Sequence, residues 1–352
     1  MKIWKIESKS MYYNDILDVK EEELPKFLTQ NAKKEYYGEP REIPKKGGKR
    51  IIYSINTTNT LYDIQKNLCN NFLSNIMLPD VVHGFKKETN YIEFLIPHLD
   101  FYGNNNYLRL DIKDFFGSIS KKNIRKALKY YFKPNDNLSD ENIKTLVDRT
   151  TEILTYNNKV IQGAPSSPII SNIIFRQLDI RIEKYCRCFQ ITYTRYADDM
   201  LFSSNNEKIF QESFISGVSR IISDGDLYLN YSKIIRSKNQ ISLGGYVISD
   251  NIRLSRNKLS DLSRVLFYIE NHKDYRNDSY YNDLNTFIIN QTGSESLKFS
   301  GIYSLINYLT GNRAFIISIL KYSQDSNFCN KAEKMICRLE RIILRLNNCL
   351  GK

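Results

Sequence analysis

The stretch from Ile191 to Ser203 constrains this chain more than any other. Ile191-Thr-Tyr-Thr-Arg-Tyr196 is β-branched and aromatic, Met200-Leu-Phe-Ser203 is mostly apolar, and Ala197-Asp-Asp199 lies between them. Two such runs flanking a tight polar break read as a β-hairpin with an acidic turn. Tyr107-Leu-Arg-Leu-Asp-Ile112 alternates and reads as a further central strand that carries Asp111 at its end. In an antiparallel arrangement of these strands, Asp111, Asp198 and Asp199 meet at one edge of the sheet. Carboxylates that close repel one another unless cations neutralise them. Hard oxygen ligands of this kind suit Mg²⁺, which keeps water and substrate phosphates as its remaining ligands. Two such ions about 4 Å apart clamp the attacking and leaving oxygens of a phosphoryl displacement. Asp-Asp is also an ordinary turn dipeptide, so its company decides.

Between the acidic elements lies Gln162-Gly-Ala-Pro-Ser-Ser-Pro168. A loop this rich in Gly, Pro and Ser, opening onto a helix, lets backbone approach a ligand closely. Pro168 fits the first turn of that helix, expected over 169–185, because its missing N–H costs nothing there. Ser120 is placed to cap a helix reaching Tyr131, and Ser139 another ending near Tyr156. Leu61 to Leu78 carries apolar residues at helical spacing and reads as one amphipathic helix. The first 40 residues read as helical up to Gly38-Glu-Pro40. Pro44-Lys-Lys-Gly-Gly-Lys-Arg50 followed by Ile51-Ile-Tyr-Ser-Ile55 reads as a hairpin with a basic tip. Beyond Asn251 the pattern turns helical again, over 255–270, 297–309 and 331–346.

Charge bears on the partner. The chain has 51 Lys and Arg against 39 Asp and Glu, a net +12. Residues 251–352 hold 15 basic and 9 acidic residues, so half of the net charge sits on this C-terminal stretch. A basic surface usually faces a polyanion, because each neutralised phosphate releases counterions. The 25 Tyr supply stacking platforms for bases, although abundant Tyr and Lys also arise from composition alone. No apolar run nears the ~20 residues of a membrane helix, and the N-terminus has no apolar leader core. The six cysteines form no CxxC pair and read as reduced thiols. A membrane protein, a secreted disulfide scaffold and a zinc enzyme are not expected, and the cytoplasm is.

The ordered series Leu110-Asp-Ile-Lys-Asp-Phe-Phe116, Gln162-Gly-Ala-Pro-Ser-Ser-Pro168 with Ser171-Asn172, and Tyr193-Thr-Arg-Tyr-Ala-Asp-Asp199 resembles the reverse transcriptases, and among them the bacterial retron type. The resemblance spans about residues 40 to 350. It implies an α+β right-hand polymerase fold: fingers over 1–105 with 120–165 inserted, an antiparallel-sheet palm over 106–250, and a basic helical thumb over 251–352. It implies catalysis by Asp111, Asp198 and Asp199, with Asp111, Ile112, Asp198 and Asp199 holding two Mg²⁺, for which Mn²⁺ can substitute. Phe115 matches the steric gate that excludes a 2′-hydroxyl. Lys49, Arg50, Gln162, Gly163 and Lys233 match nucleotide-binding positions. Tyr196, Ala197 and Leu243-Gly244-Gly245-Tyr246 match primer or template contacts, and His98 matches a residue tied to RNA recognition. For Phe115 the competing reading is a core ring; for Lys49 and Arg50, a solvated charge run; for His98, a buried hydrogen-bonded residue.

Two family elements are altered. Asn-Ala-x-x-His stands here as Phe94-Leu-Ile-Pro-His98, and Val-Thr-Gly as Leu243-Gly244-Gly245. The activity implied is RNA-directed DNA synthesis from dNTPs on a cognate noncoding RNA, primed from an RNA 2′-hydroxyl to give branched RNA–DNA. The family also implies an effector protein from the same locus and a role in antiphage defence. A non-retron defence reverse transcriptase, a group II intron-like enzyme and a non-catalytic RNA-binding scaffold are the alternatives.

Overall fold

The structure, a computed structural model, describes residues 5–45, 48–87, 89–100, 102–292, 297–323 and 326–350, without the side chains of 44–50 and 278. It gathers into two compact units, Met1–Phe94 with Tyr107–Arg236 and Leu95–Asn106 with Ser237–Lys352. Residues 237–250, counted with the palm in the sequence reading, cluster with the C-terminal helices.

In the first unit, helices α1 (Leu24–Phe27) and α2 (Gln30–Tyr37) follow a π-helical turn at Met11–Leu17. The hairpin β1 (Pro40–Lys45) and β2 (Gly48–Tyr53) pairs antiparallel from Pro40↔Tyr53 to Lys45↔Gly48, and its tip at 46–47 lies outside the described residues. Helix α3 (Thr60–Asn71) stops well short of Leu78. Phe72 leaves the helical region at φ −132°, and the Asn75 amide donates to the Asn71 carbonyl at 2.9 Å, so side chains replace the next helical bonds. After α4 (Tyr91–Leu95), β3 (Asn106–Asp111) and α5 (Phe115–Ser118) come α6 (Lys121–Lys129) and α7 (Asp140–Leu154). Their caps are those the sequence marks. Ser120 and Asn123 form a reciprocal capping box, and Ser139 Oγ accepts from the Asn142 N–H at 3.3 Å.

Helix α8 (Ser167–Arg187) is the long central helix of this unit, with Pro168 in its first turn. The strands β4 (Thr192–Tyr196) and β5 (Asp199–Ser204) follow, then α9 (Glu212–Ser223) and β6 (Ile235–Lys238), of which only Ile235 and Arg236 belong to this unit. The sheet order is β4-β5-β3-β6, so the hairpin strand β5 lies beside β3. Its core joins Leu108 and Leu110 of β3, Phe202 of β5, Phe175 and Ile182 of α8 and Phe214 of α9. Buried apolar area of this kind is what holds the layers together, at roughly 25 cal/mol per Å² removed from water.

The second unit carries a small antiparallel sheet, β7 (Ile241–Leu243), β8 (Tyr246–Ile248) and β9 (Ile252–Leu254). The Asp100 N–H donates to Ser249 O at 3.0 Å and the Asn239 N–H to Asn105 O at 2.8 Å, which fixes residues 95–106 in this unit. Four helices follow: α10 (Arg256–Asn271), α11 (Asp278–Thr292), α12 (Ile302–Leu320) and α13 (Ser326–Leu350). Helix α12 begins later than the expected 297 because Ser304 Oγ takes the Gly301 N–H and starts the helix there. It also continues past 309, burying Ile316 and Ile319. Among the described residues, no helix is long and apolar enough to cross a membrane.

Candidate active site

Asp111 ends β3 and is 3% exposed. Its backbone is fixed by the Asn230 N–H, which donates to Asp111 O at 2.8 Å. Lys233 Nζ donates to both carboxylate oxygens, at 3.0 and 2.9 Å, while half of the lysine side chain stays in solvent. A buried carboxylate is thus matched by a cation that solvent can draw away.

The register Tyr196↔Asp199 makes the hairpin loop two residues, Ala197 and Asp198, so Asp199 is the first residue of β5 and not part of the turn. Ala197 adopts φ +56°, a region that favours glycine. The Ile112 N–H donates to Asp198 O at 3.1 Å and ties the turn to the end of β3. Burial, followed by the Asp199 and Asp111 charges, pushes the Asp198 carboxyl above its ordinary range. Asp199 is differently placed. Its Oδ1 accepts from Arg109 Nε at 2.9 Å and also from Arg109 Nη2. Arg109 precedes Asp111 by two residues on β3, so the two share a face of the strand. Among the described residues, no three acidic, histidine or cysteine side chains gather closely enough to hold an ion unaided. What the geometry offers is Asp111 beside Asp198, with Asp199 engaged by an arginine.

Phe115 follows Asp114, which takes φ +45°, and is 4% exposed. Its ring meets Phe116 at 5.5 Å and, edge-on, Phe175 of α8 at 6.0 Å. Gln162 is half-buried, and Gly163 is exposed at φ +102°. Lys49 and Arg50 lie on β2 opposite Pro44 and Ile43, and their side chains are outside the described ones. Tyr196 is half-buried and packs on Tyr91 at 4.8 Å and Phe94 at 5.9 Å.

The other sequence-marked residues belong to the second unit. Leu243 and Tyr246 are buried and flank the loop Gly244-Gly245, with φ +57° and +88°. The Tyr246 ring lies 4.4 Å from that of Phe315. His98 is fully buried in a short helical turn.

Sequence reasoning missed Arg109, and also an ion pair behind the hairpin. Arg195 and Asp179 are both fully buried and joined by two bonds, at 2.8 and 2.7 Å. The signal for Arg109 was its two-residue spacing from Asp111. For Arg195 it was a charge in the middle of an otherwise uncharged strand.

Residues 43–248 match the family described as Reverse transcriptase (RNA-dependent DNA polymerase). The retron Ec86 reverse transcriptase of Escherichia coli is 29% identical over 231 residues, covering 64% of this chain and 68% of that one. The retron Ec73 reverse transcriptase of Escherichia coli is 30% identical over 184 residues, covering 51% of this chain and 54% of that one. Among solved structures, apo telomerase from Candida Tropicalis truncated from the C-terminal domain is similar at a TM-score of 0.43 and 13% identity, over 63% of this chain and 55% of that one. With a family match over more than half of its length, and with these relatives, the chain belongs to the reverse transcriptases, of the retron type and the α+β right-hand polymerase fold.

Proposed function

We propose that this chain is an RNA-directed DNA polymerase that copies a cognate structured noncoding RNA, primed from an RNA 2′-hydroxyl to give branched RNA–DNA (msDNA). The observation that carries the reading is the meeting of Asp111, at the end of β3, with Asp198, in the turn that leads into the neighbouring strand β5, with the Asp198 carboxyl pushed up by burial and by its acidic neighbours. Two carboxylates held together against their own repulsion fit a divalent cation, and Mg²⁺ is the reading, with Mn²⁺ as a substitute. Asp111, Asp198 and the backbone at Ile112 would hold it, with Asp199 acting on the site from its Arg109 pair. The chemistry such ions would supply there is a lowered pKa for the attacking hydroxyl and stabilised charge on the leaving oxygens.

The chain's own residues complete the site. Lys233, paired here with Asp111 and half in solvent, would give a proton or a charge to departing pyrophosphate. Phe115 forms the wall under the sugar, Gln162 and Gly163 flank the incoming dNTP, and Lys49 and Arg50 meet its triphosphate. Tyr196, Ala197 and the loop Leu243–Tyr246 serve primer and template. His98 acts on RNA only through the packing of its unit. An effector protein from the same locus, antiphage defence and a cytoplasmic site of action belong to the same proposal.

The test uses the nucleic acid that co-purifies with the protein expressed from its native locus. The expected result is one discrete DNA whose gel mobility shifts only after debranching, and which is absent with Asp198→Asn although RNA still co-purifies. DNA without a branch moves the reading to a defence enzyme primed in another way. No DNA, with none made from supplied primer and template, leaves an RNA-binding scaffold. An Asp198→Asn variant that still synthesises DNA overturns the metal-site assignment.

A further inference from the structure

Behind the acidic turn, three fully buried residues lie along one face of α8: Asn172, Phe175 and Asp179. Their spacing of three and four residues aligns them on the helix. Each reaches toward the hairpin or the gate. Asp179 accepts from Arg195 Nε at 2.8 Å and from Nη2 at 2.7 Å, and Arg195 Nη1 donates to the Ala197 carbonyl at 2.9 Å. The guanidinium sits 4.5 Å from the centroid of the Phe175 ring, which also meets the Phe115 ring at 6.0 Å. Asn172 Nδ2 donates to Gly84 O at 2.7 Å, and Gly84 lies so close to the turn that a Cβ there would be 2.4 Å from Ala197 N.

The residues gripped are those that need it. Ala197 holds a positive φ that an alanine pays for in steric strain, and such a residue persists only where its surroundings over-determine it. Arg195 bonds the Ala197 carbonyl, and Gly84 packs close against the Ala197 amide. A buried ion pair is weak support for stability, since apolar residues of the same volume commonly do as well. Its placement next to a strained turn gives it another use. Based on the polymerase reading above, we propose that the Asn172–Phe175–Asp179 face of α8, acting through Arg195, positions the acidic turn and the Phe115 ring as one unit. Arg195 is then a positioning residue for turnover, and Phe175 one for sugar selectivity, although neither touches a nucleotide.

The experiment uses the full chain with its co-purified RNA and compares wild type, Asp198→Asn, Arg195→Lys and Phe175→Leu, with thermal melting to give the folded fraction. Arg195→Lys keeps the charge but loses the planar fork. Its maximal rate per folded molecule is expected to fall about a hundredfold, as for a displacement near 1 Å, with the dNTP KM within about threefold of wild type. Phe175→Leu keeps an apolar side chain but frees the Phe115 ring, and the ratio of dNTP to rNTP efficiency is expected to fall about tenfold. If Arg195→Lys does not fold, the selectivity ratio of Phe175→Leu decides. Variants that lose melting temperature while keeping wild-type rate and selectivity overturn the positioning role and leave the polymerase reading intact. A wild type that makes no DNA, or an Asp198→Asn variant that makes as much as wild type, overturns the polymerase reading and this inference with it.

Discussion

Ala197-Asp198 and Gly244-Gly245 are both two-residue loops closing antiparallel strands, one in each unit. Such loops require positive φ, which is why glycine is common in them. The second unit meets the requirement locally: both loop residues are glycines, at φ +57° and +88°. The first unit places an alanine at φ +56° and holds its carbonyl through Arg195, two residues away, whose guanidinium is in turn fixed by Asp179 of α8. The ion pairs differ in the same way. Arg195 and Asp179 are entirely buried, whereas Arg338 and Glu270, joining α13 to α10, keep 35% and 38% of their side chains in solvent. A loop that only reverses the chain is specified by its own residues. One that must present a carboxylate at a fixed place draws its geometry from a buried polar framework.

The sharpest way to break that comparison is to remove one acid from each pair. Asp179→Ala leaves a guanidinium buried without its counter-charge, and the expected loss is about 3–5 kcal/mol. Glu270→Ala removes a surface partner and is expected to cost about 1 kcal/mol or less. Urea unfolding of both variants checks this, and equal losses end the distinction. A second buried network gives a pH test. Lys33, 4% exposed, donates to Glu152 Oε2 at 3.0 Å and to Thr155 O at 3.1 Å, and Lys121 also donates to Glu152. Burial pushes the Glu152 carboxyl up, but the hydrogen bonds from Lys121 and Lys33 outweigh it and hold the carboxyl below its usual range. Its folded pKa is lower than its unfolded one, so its stabilisation is present above the unfolded value and fades as pH falls through the folded one. Glu152→Gln is therefore expected to cost about 1–2 kcal/mol at pH 7, held down by the partial exposure of the carboxylate. The gap to wild type should narrow as pH falls below the usual carboxylate range. A gap that stays constant assigns the loss to packing and not to charge.

The parts of this arrangement legible in the sequence are those with local causes. Ser120 and Ser139 cap their helices within three residues, and the hairpin strands announce themselves by β-branched and aromatic composition. What was not legible depends on pairing at a distance. Whether the acidic turn holds two residues or three is set by the register of β4 on β5, and the composition suits both. Arg195 finds Asp179 16 residues away, and Asn172 finds Gly84 at a separation of 88. Lys33 stands among polar residues on α2, where it reads as solvent-facing, yet its amine is buried against the end of α7. Helix α11 is rich in Tyr and Asn and lacks a clear apolar period, so although the stretch beyond Asn251 reads as helical, the bounds of this helix are not marked. Strands β3 and β5 are legible because aspartates stand out at their ends; the residues packed behind them carry no motif of their own.

The two loops can also be exchanged. Gly244→Ala puts a Cβ at φ +57° with no polar bonds from outside to hold it among those described for Ala197, and about 1 kcal/mol of stability should be lost. Ala197→Gly is the smaller effect. It relieves a left-handed penalty of about 1–2 kcal/mol, while the added freedom of the unfolded chain returns about 0.5–1 kcal/mol, so the net gain lies at about 0–1.5 kcal/mol. The informative quantity is how that gain depends on Arg195. In the wild-type background the guanidinium holds the Ala197 carbonyl and the strain is present to be relieved. With Arg195→Lys the grip loosens, the turn relaxes by itself, and glycine has less to offer. A double-mutant cycle by urea unfolding should therefore show a coupling of at least about 0.5 kcal/mol between positions 195 and 197. Additive effects would mean that Ala197 keeps its backbone angle without the arginine, and the contrast between the two loops would then rest on Gly84 alone.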